Sequence, residues 1–223
     1  MFPPALDWDE FKNEFYKSGV LSLPVLAATS AFIGALMVIQ SAAYVRATGA
    51  TFLVGAATSV AIFSQIGPVL LGLMFSGRVG ANNTAELGTM AVTEQIDAMR
   101  ILAIDPIRLL VLPRFLTMLI VMFLLASIGD LIALIFGALT ANALLGIDFR
   151  IFYLGVVGGN HLPDFIVGLV KSVAFGGSIA VVSCYYGIKV KGGATGVGRE
   201  VNNSVVASAM MIFVIDFLIT VMW

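Results

Sequence analysis

Apolar residues run through this chain in long stretches, and the few charged positions between them mark its segments. Residues 18–45 carry no charge, and neither do residues 47–77. About 20 apolar residues cross the hydrocarbon core of a bilayer as a helix. The two runs therefore predict spans near Val20–Tyr44 and Thr51–Phe75. From Phe115 to Gly146 only Asp130 interrupts the apolar pattern, which gives a third span. A fourth, Phe165–Ile188, contains Lys171, and a fifth, Val201–Trp223, contains Asp216. The expected fold class is an all-α integral membrane protein with about five transmembrane helices in a single domain, residues 1–223. Gly146–Pro163 is the one sizeable loop expected on the outer side.

Two further stretches are patterned but too charged to span. Ahead of the first span, Trp8, Phe11 and Phe15 fall on one helical face, with charges on the others, and Asp7 stands where a helix cap would. Residues 1–18 therefore predict a helix lying in the membrane interface. In the segment 76–114, Gly77, Arg78 and Gly80 open a run to Thr84 that predicts a turn. A helix is expected over 85–100, ending by Asp105-Pro106. Val92, Ile96, Met99 and Ala103 make its apolar stripe, while Glu94, Asp97 and Arg100 face elsewhere. Such a helix either docks on a soluble partner and transmits its movement, or merely closes the loop over a buried face.

Composition strengthens the membrane reading. The chain is 60% hydrophobic and 11% charged, with a mean hydropathy of +1.04, against about 45–50% and about 25% in soluble domains. Its net charge of −1 and lack of a basic run offer nothing to nucleic acid. Cys184, the only cysteine, excludes an intrachain disulfide. With His161 as the only histidine, read as a solvated side chain of the outer loop, no metal is expected. The charged opening residues lack the apolar core of a cleavable signal. Lys12, Lys17, Arg78, Arg100, Arg108, Arg114, Lys189, Lys191 and Arg199 fall on the side of the N-terminus, and only Arg46 and Arg150 on the other. Positive charge stays inside, so the N-terminus is expected in the cytoplasm.

Charges within spans are candidate functional groups, each needing a partner. Counting 1.5 Å per residue from the cytoplasmic ends, Lys171, Asp216 and Asp130 lie about 22, 18 and 24 Å in. All three fall in the outer half of the bilayer, so Lys171 is expected to pair with Asp216 or Asp130. Gly67-Pro68 predicts a kink in the second span, where Pro68 leaves a backbone carbonyl free one turn earlier. No phosphate-binding loop of the Gly-x-x-x-x-Gly-Lys-Ser/Thr type occurs, nor Gly-x-Ser-x-Gly nor His-Glu-x-x-His. The chain is expected to be non-catalytic and to bind no cofactor of its own.

The sequence resembles the MlaE-type permeases of MCE-associated ABC transporters, which include the YrbE branch. The resemblance rests on Gly67-Pro68, Gly77-Arg78-Val79-Gly80-Ala81, Ala85-Glu86-Leu87-Gly88-Thr89-Met90 and Thr93-Glu94-Gln95-Ile96-Asp97-Ala98, then Asp105-Pro106-Ile107-Arg108 and Pro113-Arg114. It resumes at Lys171-Ser172, Lys191-Gly192-Gly193-Ala194 and Asp216-Phe217-Leu218. Glu94 also stands 19 positions before the proline of Leu112-Pro113, a spacing found in importer permeases, although Arg100 replaces the glycine of that signature.

The resemblance implies a permease for phospholipid in the bacterial inner membrane, paired with a second copy. It implies a cytoplasmic ABC ATPase that carries ATP and Mg, an MCE-domain protein on the periplasmic side and a small STAS-type subunit. Glu86, Thr93, Glu94, Asp97 and Arg100 would couple to the ATPase. Where many members carry Arg-Glu, this chain has Ser64-Gln65, so a carboxylate mechanism at that point is not expected, although Gln65 can still hydrogen-bond. A secondary transporter or channel, or a structural membrane anchor, are the rival readings.

Overall fold

The computed structural model describes residues 8–48, 53–159 and 161–223. Every element in it is helical, as long apolar runs with no water to satisfy their backbone require. The α-helices are α1 (Trp8–Phe15), α2 (Leu23–Thr48), α3 (Leu53–Val60), α4 (Ile66–Phe75), α5 (Ala81–Val92), α6 (Gln95–Ile101), α7 (Leu112–Leu145), α8 (Phe149–Gly158), α9 (Leu162–Ile188) and α10 (Gly193–Met222). Four π-helical turns join or extend them: Tyr16–Val20, Ala61–Gln65, Ser76–Gly80 and Ile107–Val111.

Five stretches are long and apolar enough to cross a bilayer: Phe11–Ser41, Leu53–Val92, Ile107–Leu145, Leu162–Ile188 and Gly193–Met222. The five-span expectation holds, but boundaries move: the first and third stretches begin at Phe11 and Ile107, well ahead of Val20 and Phe115, and the second runs on past Phe75 to Val92. Helix runs unbroken from α3 through two π turns to the end of α5, so Gly77, Arg78 and Gly80 lie in a π-helical turn and not in a loop. The glycines mislead because a helix can keep Gly at a cost of about 1 kcal/mol relative to Ala. Likewise α10 begins at Gly193, well before Val201, and absorbs most of the glycine-rich run into its first turns. The loop expected on the outer side also holds a helix, α8, whose N-cap Asp148 accepts from the Arg150 N–H at 2.7 Å. Asp7, the expected cap of α1, lies outside the described residues, as does Thr51.

Two compact units can be distinguished. The first holds Met1–Ser22, Gly72–Phe123 and Val173–Leu218. At one of its cores Leu87, Ile96, Leu110 and Cys184 pack together, joining α5, α6 and the π turn before α7 to the end of α9. Polar links tie the same helices. Thr84 Oγ donates into a cluster of Ser204 Oγ at 2.9 Å and the Ser183 carbonyl at 3.2 Å, and Asn83 Nδ2 donates to Ser183 Oγ at 2.7 Å. These residues belong to the stretch expected as a turn; they act instead as interhelical glue.

The second unit holds Leu23–Leu71, Leu124–Ser172 and Ile219–Trp223. Val38, Val54, Ala141, Ile147 and Phe152 form one core, and Ile33, Met37, Ile62 and Ala133 another. Helix α2 passes so close to α7 that a Cβ at Gly34 would collide with the Ala133 carbonyl. Small residues that admit such contact are what bring helices together where lipid removes the hydrophobic drive. Ser41 Oγ and Thr58 Oγ1, 3.0 Å apart, add a hydrogen bond between α2 and α3.

Candidate functional site

The helix expected over 85–100 is two helices. At Thr93 the hydroxyl and the N–H both turn back to the Thr89 carbonyl, at 2.8 and 3.0 Å, and α5 stops. Glu94 follows in the left-handed region at φ 59°, and its carbonyl receives the Ala98 N–H to start α6. A non-glycine residue there costs about 1–2 kcal/mol. Helix α6 ends at a second left-handed residue, Ala103 at φ 58°, with the Ile104 N–H reaching back to the Met99 carbonyl at 2.9 Å. That is a helix-ending motif usually built with glycine. Between the two strained corners, Ile96 is the buried anchor of α6, and Met99 packs beside it. The expected stripe is cut short: Val92 and Ala103 are exposed, because the corner at Glu94 changes the phase of the helix. Thr93, Glu94, Asp97 and Arg100 lie exposed, with Arg100 donating to Asp97 at 2.9 Å. Ile101, Leu102 and Ile107 stand exposed beside them.

Glu86 is placed differently from these four. It belongs to an ion network within the first unit. Arg114, 3% exposed in its side chain, sits 3.1 Å from Glu14 Oε1 and 3.2 Å from Glu86 Oε2. Lys17 Nζ reaches Glu86 Oε1 at 3.3 Å, and Asn82 Nδ2 donates to the same oxygen at 3.1 Å. The network thus ties α1 and its π turn to α5 and to the start of α7. The sequence reading put the charges of α1 on its solvated faces, yet Glu14 is buried; it turns inward because Arg114 is there to meet it. Neither Glu14 nor Arg114 is a candidate functional group by sequence. Only the wheel position of Glu14, beside Phe11 and Phe15, carried any signal of it.

Beside the network opens a cavity of about 450 Å³. Lys17, Ser22, Arg78, Asn83 and Glu86 line it with Leu21, Val79 and Met118 among others, and Arg78 Nη2 donates to the Leu21 carbonyl at 2.8 Å.

The second unit has its own polar station. Lys171, 1% exposed on α9, donates to the Ser64 carbonyl at 2.7 Å and to Thr220 Oγ1 at 2.8 Å. Ser64 is the residue four before Pro68, so Lys171 takes up the very carbonyl that the proline leaves without an N–H. Gly168, one turn earlier on α9, meets the Phe63 carbonyl so closely that a Cβ would collide with it. Gly67 and the buried Asp130 carboxyl are also neighbours, since a Cβ on Gly67 would lie 3.3 Å from Asp130 Oδ1. Gln65, in contrast, is exposed, although it lies in an apolar stretch. His161 is only partly solvated: its side chain is 14% exposed and its Nδ1 lies 3.4 Å from Asp164 Oδ2 in the first turn of α9. Among the described residues no group of His, Cys, Asp and Glu is placed to hold a metal ion.

Comparison with known proteins agrees with this architecture. Residues 11–222 match the family model described as Permease MlaE. A probable ABC transporter permease of Rickettsia conorii is 40% identical over 202 residues, covering 91% of this chain and 78% of its own. One from Synechocystis is 34% identical over 91% of this chain and 77% of its own. The chloroplast protein trigalactosyldiacylglycerol 1 of Arabidopsis thaliana is 31% identical over 96% of this chain and 61% of its own. With five helical stretches long and apolar enough to span a membrane and a family match that leaves only its first ten residues and its last one outside, the chain belongs to the MlaE permease family and is a multi-pass permease subunit of an ABC transporter.

Proposed function

We propose that this permease moves phospholipid, driven by a cytoplasmic ATPase that docks on α6 and the corners flanking it. The observation that carries the reading is the form of that segment. It is a short helix pinned by Ile96, with its charged side exposed, Ile101 and Leu102 uncovered beside it, and a strained corner at each end. An exposed element with one buried anchor can receive a push and deliver it, through α5 and the turn before α7, to the spans. Thr93, Glu94, Asp97 and Arg100 are the residues that would meet the ATPase, whereas Glu86 would pass movement on inside the chain. ATP and Mg belong to that partner, and this subunit catalyses nothing itself.

The lipid part is supported by the name of the Arabidopsis relative, which refers to a glycerolipid. It is also supported by Gln65: an amide exposed in an apolar stretch needs a polar partner in a membrane. A second copy of the chain, with the cargo between the two, would supply it. In the same reading the protein sits in the bacterial inner membrane with its N-terminus in the cytoplasm. An MCE-domain protein meets its periplasmic side, and a small STAS-type subunit joins the ATPase. The test is to express the tagged chain with its neighbouring genes and to identify what co-purifies in mild detergent. An ATPase and an MCE-domain protein with bound phospholipid are the expected result; a solitary, lipid-free protein would overturn the proposal.

A further inference from the structure

The cavity beside the ion network in the first unit is walled by two cations, buried polar groups and apolar side chains. Lys17 ends the charged opening segment just before an uncharged run, and Arg78 directly follows another. Each cation adjoins the end of an uncharged run long enough to span, which puts it toward the headgroup boundary when that run crosses a bilayer. Deeper in, two buried polar groups lack a protein partner: the Ser22 hydroxyl, on a residue 1% exposed, and Asn83 Oδ1, on a residue 4% exposed. The amide nitrogen of Asn83 is held by Ser183 at 2.7 Å, which fixes the oxygen as an acceptor. Leu21, Val79 and Met118 add apolar surface, and Glu14, Ser18 and Asn82 complete the lining. A volume of about 450 Å³ falls within the about 300–1,000 Å³ usual for small-molecule sites.

We infer that this cavity binds the headgroup of a membrane phospholipid whose head carries a hydrogen-bond donor, held as a resident ligand separate from any cargo. The phosphate would lie against Lys17 and Arg78, as basic pockets between spans hold lipid phosphates. Lys17 alone would not suffice, because Glu86 already shares its charge; Arg78 adds a second, exposed cation. The donor, a primary ammonium or a hydroxyl, would satisfy Asn83 Oδ1 and stand near the Glu86 carboxylate. Choline has no such donor and would leave the acceptor unpaired, a penalty that a site built for hydrogen bonding imposes on any analogue lacking the group. The inference needs only that the chain sits in a bilayer, so it can fail while the transport proposal stands.

The test is native mass spectrometry of the full-length protein in detergent, titrated with dihexanoyl phosphatidylethanolamine, dihexanoyl phosphatidylcholine and glycerol 3-phosphate. The ethanolamine lipid should bind at one per chain, about tenfold tighter than the choline lipid, which corresponds to one well-placed hydrogen bond. Glycerol 3-phosphate, which shares the phosphate and the donors, should bind weakly because it lacks the chains. Arg78→Gln and, separately, Ser22→Val should each reduce ethanolamine-lipid binding about tenfold. Equal binding of the two lipids would overturn the headgroup assignment in the unaltered protein, with no variant needed. Binding of glycerol 3-phosphate as tight as that of the lipid would overturn the membrane source. Undiminished binding in both variants would place the ligand elsewhere.

Discussion

Arg114 offers the most direct test of how the first unit is held together. Its guanidinium is almost wholly buried and faces two carboxylates, Glu14 at 3.1 Å and Glu86 at 3.2 Å, of which Glu86 also has Lys17. Arg114→Met keeps most of the side-chain volume and removes the charge, so the loss is electrostatic and not a cavity. Taking one member from a buried pair costs about 3–5 kcal/mol, most of it from the charge left behind. Glu14, 8% exposed in its side chain, bears more of that loss than Glu86, which is 28% exposed and retains Lys17. The expected destabilisation of Arg114→Met is therefore about 3–4 kcal/mol. Glu14→Leu alone should cost less, about 2 kcal/mol, because Arg114 keeps Glu86. In the double variant apolar groups face each other, and the cost should fall to about 1–2 kcal/mol, a coupling of roughly 4 kcal/mol between the sites. Unfolding in mixed dodecyl maltoside and SDS micelles, followed by far-UV circular dichroism, reads all four corners of the cycle. Single-variant costs that simply add, to within about 0.5 kcal/mol, would refute the argument that Arg114 and Glu14 stabilise one another.

Four further outcomes are expected. Glu94→Gly should stabilise the α5–α6 corner by up to about 1 kcal/mol, since glycine takes the left-handed conformation without penalty; an unchanged or lower unfolding midpoint would contradict the strain. Glu94→Arg should fold like the parent yet abolish ATP-driven lipid transfer in reconstituted vesicles, and full transfer would remove Glu94 from coupling. Thr84→Val takes a fully buried hydroxyl away from Ser204 and Ser183 and should cost about 1–3 kcal/mol, measurable in the same micelle titration; a neutral result would mean that packing alone joins α5 to α9 and α10. Lys171→Met should destabilise by about 2–3 kcal/mol, because it strips a charged donor from the Ser64 carbonyl and Thr220, and a Pro68→Ala background, which restores an N–H at residue 68, should reduce that cost. If the background makes no difference, Lys171 is not compensating for the proline.

The spans were readable because apolar run length is set by bilayer thickness, and that constraint acts on composition alone. The breaks between them were less so. Gly77 and Gly80 with Asn82, Asn83 and Thr84 look like a turn by composition, and only the partners Ser183 and Ser204, about a hundred residues away in sequence, make that stretch a buried helix. The corner at Glu94 is hidden for the opposite reason: nothing about a Glu between Thr and Gln signals a left-handed residue. The kink was visible through Pro68, and its free carbonyl could be foreseen, but which cation would take it could not, since Lys171 is distant in the chain. Glu14 illustrates the general limit. A charge on an amphipathic helix is read as solvated unless its counter-charge, here Arg114, is known to stand opposite.

The π turn at Ala61–Gln65 has a mechanical consequence. A wider turn carries one residue more than an α turn, so the helix beyond it is out of phase with the helix before it by about 100° and offset by about 1.5 Å. Gln65 and Ser64 lie in that extra turn, just ahead of the proline. If the bulge travelled by one position, the same rod would lengthen or shorten by a single step and swing the amide to a new bearing, with few hydrogen bonds broken. The second spanning stretch has another such turn at Ser76–Gly80. It is built less like a strut than like a screw with two loose threads, able to convert a small axial push at one end into rotation at the other.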